Sequence, residues 1–426
     1  MFDARAMNEL NGTVAPRFEP VRDAVLDALR RGAETGLSLA VDLDGERVVD
    51  LWGGHQDAAR TRPWARDTVT NVWSITKNVT SLAVLLLVDA GELDVHAPVA
   101  RYWPEFAARG KDRVEVRHLL SHTAGLPGLD QPARLDDLYD VRATADRLAA
   151  QAPWWEPGTA SGYHVLTFGH LLGELVHRVS GRSLREFVDE NLSRRIGADF
   201  RIGARAEDLR RVSDVIPPAA ADLSGLDPDG IAYRTFNGPA FSASSANTQA
   251  WRAAELGAAN GHGNAASVAD LMTPLALEGA SAAGRLLKPS TVRLVLDQQA
   301  QGVDLVNGLH VRWGIGFALP DDRTLPWIPP GRVAFWGGWG GSMAVADLDR
   351  RLTIAYVMNE MGGDILGSAR AATYVRAVYR ASGALPPGAS GDRTDRERHD
   401  PESGAPVRAG GAGQRPVSCR TASCTP

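Results

Sequence analysis

Ser74 and Lys77, three residues apart in the stretch VWSITKNV (72–79), are a pair whose types and spacing can do chemistry. A serine hydroxyl is a poor nucleophile until a base removes its proton. Residues three apart share one face of a helix, so a helix starting here brings Lys77 Nζ within reach of Ser74 Oγ. At the first turn, free backbone N–H groups and the helix dipole also favour negative charge on the serine. Lysine serves as a base only if its pKa falls well below ~10.4, which burial beside an apolar helix achieves. The same four residues also describe a serine N-cap followed by a solvent-facing lysine, and taken alone the stretch favours that plainer reading. Lysine is scarce, however. Lys77, Lys111 and Lys288 are the only three, and the remaining 43 of the 46 basic residues are arginine. A chance S-x-x-K in such a chain has odds of about 0.2.

The elements that must position this pair can be read from periodicity and punctuation. An apolar helix runs from Ser74 to Ala90 and closes at Gly91; it is hydrophobic over most of its circumference and therefore central. Residues 20–31 place Val21, Val25, Ala28 and Leu29 on one stripe, an amphipathic helix ending at Gly32. LSLAVDL (37–43) and RVVDLWGG (47–54) flank Asp44-Gly45 as a two-residue hairpin. SMAVADL (342–348) and RLTIAYVM (351–358) flank Asp349-Arg350 as a second, with a helix near 366–381 behind it. Residues 92–250 read as mainly helical with long Pro- and Gly-punctuated loops, and Ser183-Leu-Arg-Glu186 is a capping box.

Strands at both ends with helices between predict a mixed α/β (α+β) fold. One antiparallel sheet is assembled from both chain ends, residues about 18–91 and 300–381, with a mainly helical insertion at about 92–299. A site belongs in the cleft between them. Residues 382–426 are rich in Gly, Pro and charge, and are expected to be a disordered tail.

Composition excludes several function classes. Hydrophobic content of 44% and charged content of 23% are those of a globular protein. A net charge of −5 with scattered basic residues gives no nucleic-acid surface. No apolar run reaches signal-peptide length or the ~18 residues of a membrane span, so a cytoplasmic protein without a membrane partner is expected. No pattern in the chain specifies an oligomer. Both cysteines, Cys419 and Cys424, lie in the last eight residues, so the folded body uses neither disulfides nor thiolate ligands. His118 and His122 are four apart but without a glutamate between them, and read as loop histidines rather than a zinc site. Neither metal nor other cofactor is expected. There is no Gly-x-Ser-x-Gly elbow, no phosphate loop and no His-Glu-x-x-His helix. The Gly-rich stretch 337–341 precedes a strand, not a helix, so it is not a dinucleotide loop.

Four further segments stand in a telling order: VRHLLSHTAGLPG (116–128), WEPGTASGYH (155–164) with VLTFGHLLGELVHRVSGRSL (165–184), ANGHGNAAS (259–267), and FWGGWGGSMAVADLDRRLTIAYVMNEM (335–361). With S-x-x-K in front of them, the chain from about 18 to 381 resembles the serine β-lactamase-like proteins. The likeness is to the esterase branch related to class C β-lactamases and penicillin-binding proteins. That resemblance implies Ser74 as the acylated nucleophile and Lys77 as its general base or proton relay. It implies Tyr163, at the family's Tyr-x-Asn position, as a proton-transfer group. The family's Lys-Thr-Gly or His-x-Gly motif falls on Trp336-Gly337-Gly338, which would face substrate. The backbone N–H groups of Ser74 and Trp339 would form the oxyanion hole.

Two departures bear on specificity. Val165 stands where the family has Asn, and Trp336 where it has a cation, so amide and carboxylate recognition are both weakened. The resemblance therefore implies a serine hydrolase cleaving uncharged carboxylic esters. The alternative passes the acyl group to an amine or alcohol as a transacylase; a β-lactamase or D-Ala-D-Ala peptidase fits less well, and a non-catalytic relative is opposed by the intact Ser74, Lys77 and Tyr163. His164, beside Tyr163, is expected to be packed or solvated, and His262 and Asn264 to shape a loop at the cleft. Trp154 and Trp155 read as core rather than as a substrate platform. Trp339, between glycine pairs, reads equally as a wall of the acyl pocket or as packing.

Overall fold

The computed structural model describes residues 10–219 and 225–385. Nine strands form one sheet: β1 (Leu10–Val14), β2 (Gly36–Leu43), β3 (Glu46–Gly54), β4 (Ala300–Val303), β5 (His310–Trp313), β6 (Ala318–Leu319), β7 (Val333–Gly337), β8 (Met343–Asp347) and β9 (Leu352–Met358). Their order across the sheet is β1-β3-β2-β9-β8-β7-β6-β5-β4, with every neighbouring pair antiparallel. The hairpins from the two chain ends meet at its centre, where β9 pairs with β2 from Leu352↔Leu43 to Met358↔Leu37. This is the expected mixed α/β architecture. β9 is buried throughout and β2 almost so, which is why both read as unbroken apolar runs rather than alternating ones.

The first hairpin closes as expected. Asp44 and Gly45 both take positive φ, 54° and 86°, the signature of a type I′ turn. The second differs. Its register ends at Asp347↔Leu352, so the loop is the four residues 348–351 and not Asp349-Arg350 alone. A type I′ turn needs positive φ at both central residues, which arginine disfavours. The loop widens instead, and the positive φ falls on Arg351. Strand β1 has no counterpart in the sequence reading. Gly12 interrupts its five residues at φ 112°, and a Cβ there would lie 1.8 Å from the Asp50 carbonyl oxygen on β3.

Helices cover both sheet faces. On one face lies α4 (Ala265–Ala276): Ala265 N donates to Ser38 Oγ at 2.9 Å, and Thr273 Oγ1 bonds Asp42 Oδ2 at 2.7 Å and Thr353 Oγ1 at 3.1 Å. On the other lie α1 (Glu19–Arg30) and α5 (Ala369–Ala381), with Tyr356 of β9 edge-on to Tyr374 of α5 at 5.0 Å. α1 buries Val21, Val25, Ala28 and Leu29, as its stripe predicts. α2 (Ile75–Asp89) is buried continuously from Ile75 to Leu85 and ends at Gly91 with φ 77°. α3 (Thr167–Ser180) lies against it and stops at Gly181 with φ 73°. The Ser183–Glu186 capping box forms, with Glu186 Oε2 accepting from Ser183 N at 2.9 Å. Of the expected tail (382–426), residues 382–385 instead form a turn closing α5, with Ser382 N donating to Val378 O at 2.8 Å and Ala384 N to Tyr379 O at 2.9 Å, and residues 386–426 lie outside the described residues. No helix among the described residues is long and apolar enough to cross a membrane.

Candidate active site

Three chain segments converge on the start of α2. A small sheet of Thr70–Asn71, Gly261–Gly263 and Arg201–Ile202 ties the approach to Ser74 onto the 259–263 segment. Val72 N donates to Gly261 O at 2.8 Å, and Gly261 N to Thr76 Oγ1 at 2.7 Å. From the sheet, Gly338 comes so close that a Cβ on it would lie 2.5 Å from the Val72 carbonyl oxygen. Glycine is required there by close backbone approach. Trp73, next to Ser74, has φ 50°, a left-handed conformation that costs a bulky residue about 1–3 kcal/mol. Its ring is held edge-on to Trp339 at 5.1 Å and to Trp251 at 5.5 Å.

Ser74 occupies the N-cap position of α2, but its hydroxyl makes no cap. It faces Lys77 instead, with Nζ to Oγ at 3.2 Å. Lys77 is 2% exposed, and Nζ also donates to Val165 O at 2.8 Å and Ala258 O at 3.0 Å. The solvent-facing lysine of the plainer reading is thereby excluded. Burial drives the Lys77 pKa well below its ordinary value. No carboxylate among the described residues lies within ion-pair distance to offset that. The Ala258 carbonyl is brought there by close packing of α3 on the 257–258 backbone, where a Cβ on Gly169 would lie 2.5 Å from Ala258 N.

Tyr163 is buried, with its ring centroid 4.6 Å from Lys77 Nζ. Trp336 Nε1 donates to the phenol oxygen at 2.9 Å. Burial raises the Tyr163 pKa, outweighing the hydrogen bonds from Ser74 and Trp336 that oppose it, so the phenol stays protonated. Behind it, the Asp304 carboxylate accepts from Tyr163 N at 2.9 Å and from Val306 N and Asn307 N. The His122 ring packs 4.8 Å from Tyr163 and 4.4 Å from Trp313, and its Nδ1 accepts from His164 N at 3.0 Å. His164 binds Gly162 O through Nδ1 and accepts from Leu126 N through Nε2; burial pushes its pKa down to about 3, so it is neutral.

A cavity of about 350 Å³ opens at Ser74. Trp73, Tyr163, Val165, Phe241 and Trp339 are among its walls, and no charged side chain among the described residues is. Trp339 is thus a cavity wall. Among the described residues, neither the Ser74 N–H nor the Trp339 N–H donates to a carbonyl or side chain.

Other expected positions fall elsewhere. Trp336, Gly337 and Gly338 do not line the cavity; the Trp336 side chain turns back onto Tyr163 instead of facing substrate. His262 and Asn264 do not shape the cleft. His262 is buried in the small sheet with its pKa lowered by burial to about 4, and Asn264 Oδ1 caps α4 by accepting from Ser267 N at 2.9 Å. His118 Nδ1 accepts from Glu115 N in a capping box. No cluster of His, Cys, Asp or Glu that could hold a metal occurs among the described residues. Trp154 and Trp155 are half-buried and off the cavity. Asp304 and Trp313 carry no sequence signal, because their approach to Tyr163 spans more than a hundred residues.

A family model described as Beta-lactamase matches residues 21–378. The chain is 32% identical over 363 residues to the esterase/beta-lactamase LipL of Mycobacterium tuberculosis, covering 82% of this chain and 83% of that one. It is 27% identical over 345 residues to the acyltransferase CalJ of Penicillium decumbens, covering 69% and 75%. A solved family VIII carboxylesterase superposes with a TM-score of 0.82 at 39% identity, over 88% of this chain and all of that one.

Proposed function

The chain belongs to the beta-lactamase family, and from that membership and the cleft chemistry we propose a serine hydrolase that cleaves uncharged carboxylic esters through an acyl-Ser74 intermediate. The observation that carries this reading is the environment of Lys77 Nζ. A neutral amine has two N–H groups, which the Val165 and Ala258 carbonyls accept, and its lone pair is left for the Ser74 proton. Without a carboxylate nearby, that neutral form is the favoured one.

In the proposed reaction Lys77 takes the Ser74 proton as Oγ bonds to the ester carbonyl carbon. The oxyanion forms at the Ser74 and Trp339 N–H groups, which have no other partner among the described residues to give up. As the tetrahedral intermediate collapses, the carbon–alkoxy bond breaks and the neutral Tyr163 phenol, beside Lys77 and lining the same cavity as Ser74, passes a proton to the leaving alcohol. Lys77 then resupplies it. Water repeats these steps on the acyl-enzyme and releases the acid. Trp336 holds the phenol from behind and does not touch substrate. The apolar walls favour uncharged acyl and alcohol groups over carboxylate-bearing ones. The site lies where the proposed sheet part (18–91 and 300–381) and helical part (92–299) meet.

The test is incubation with p-nitrophenyl acetate and butyrate, followed by intact-mass analysis. Turnover with an acyl adduct that disappears in Ser74→Ala is expected; an adduct surviving in that variant would move the nucleophile elsewhere. Similarity to CalJ supports the second reading, transfer of the acyl group to an amine or alcohol. Acylation whose release accelerates only on adding such an acceptor would select it.

A further inference from the structure

The turn carrying Trp339 has Gly340 and Gly341 at φ 89° and 131° and is closed by Gly341 N donating to Gly338 O at 3.1 Å and Gly338 N donating to Ser342 O at 2.8 Å. Contacts from neighbouring segments add to these bonds. Gly340 N donates to Asp364 O at 3.0 Å, and Gly362 N donates to Gly340 O at 2.8 Å. Behind these bonds lies a guanidinium. Arg370 Nη2 donates to Glu360 O at 2.7 Å and to Gly340 O at 3.4 Å, while Nη1 donates to Ala33 O at 3.0 Å and Glu34 Oε2 at 2.8 Å. Glu34 is fully buried, and its other oxygen accepts from Tyr356 and, at 3.0 Å, from Tyr374. The N-terminus of α5 abuts the same turn, since a Cβ on Gly341 would lie 2.8 Å from the capping Ser368 Oγ.

We propose that Arg370 is a positioning residue for the oxyanion hole: anchored by Glu34, its guanidinium fixes the Gly340 carbonyl and the 360–364 segment, and through them the Trp339 N–H. The inference rests on the reading of Ser74 as nucleophile and the Trp339 N–H as oxyanion donor. A planar fork suits the site because one rigid group meets carbonyls on three segments, at Ala33, Gly340 and Glu360, as well as the Glu34 carboxylate. The pair joins the first sheet hairpin, the Gly-rich turn and α5, three pieces far apart in the chain. It touches no cavity wall residue except through that turn and the 360–364 segment.

The test compares Arg370→Lys with the parent protein on p-nitrophenyl butyrate. The lysine variant should lose about 30-fold in kcat with KM within about 2-fold, because a displaced donor weakens the transition state and not the ground state. Its affinity for an aryl trifluoromethyl ketone, which adds to the serine and forms an oxyanion, should fall by the same factor. A lower melting temperature with unchanged kcat and ketone affinity would mean a merely structural pair and overturn the proposal. If Arg370→Lys does not fold, Tyr374→Phe removes a single hydrogen bond to Glu34 and should lower both quantities about 3-fold; no change there would overturn it equally. Activity surviving in Ser74→Ala would sink the catalytic reading itself. An inactive Ser74→Ala beside a fully active Arg370→Lys would sink only this inference.

Discussion

Trp336 Nε1 donates to the Tyr163 phenol oxygen at 2.9 Å, and both side chains are buried. In the proposed mechanism this contact orients Tyr163, the proposed proton-transfer group. Trp336→Phe keeps a ring but removes the donor, and should lower kcat about 10-fold, the worth of one buried hydrogen bond. The pair acts as a unit, so the double variant with Tyr163→Phe should be no slower than Tyr163→Phe alone. Additive losses in that cycle, measured on p-nitrophenyl butyrate, would place the tryptophan's role elsewhere.

As the proposed base, Lys77 should set the acid side of the pH profile. Burial lowers its pKa, so the amine is neutral and competent above that lowered value and inactive below it. The profile of kcat/KM should rise with pH and level off well short of 10.5, the ordinary lysine value. Tyr163, whose pKa is raised, should contribute no falling limb below its ordinary value of 10.0. Lys77→Arg, which stays protonated, should lose about 1000-fold in kcat.

Gly338 tests the close approach of sheet and helix. Its would-be Cβ meets a backbone oxygen, not the end of a flexible side chain, so relief requires moving β7 or the residues before Ser74. Gly338→Ala should cost about 100-fold in kcat, since both proposed oxyanion donors flank the contact. Calorimetry should show a lower melting temperature alongside.

Charge discrimination follows from the cavity wall. With no charged side chain among the described wall residues to pair it, a carboxylate beside the scissile carbonyl should be desolvated unpaired. A p-nitrophenyl hemisuccinate should be cleaved about 100-fold less efficiently than the butyrate. Nitrocefin turning over as fast as the butyrate would contradict this account of Val165 and the apolar wall.

The sequence by itself determined the parts that depend on local physics. The Asp44-Gly45 turn, the stripe of α1, the helix opening at Ser74 and the Ser183 cap each follow from residues a few positions apart. The order of the family segments placed Ser74, Lys77, Tyr163 and the Gly-rich strand in one family architecture. What Lys77 does was not decided locally: three spacers from Ser74 fit a solvated lysine as well as a buried one. Only the folded chain brought Val165 O and Ala258 O, 88 and 181 residues away, onto its nitrogen. Trp336 was read as facing substrate because sequence order carries no side-chain direction; packing against Trp313, at 4.6 Å, turns it onto Tyr163. The Asp304 and Arg370 contacts were invisible for the same reason. Hydrogen bonds between distant segments are chosen by the register of the sheet and the seating of helices on it, and tertiary structure alone fixes both.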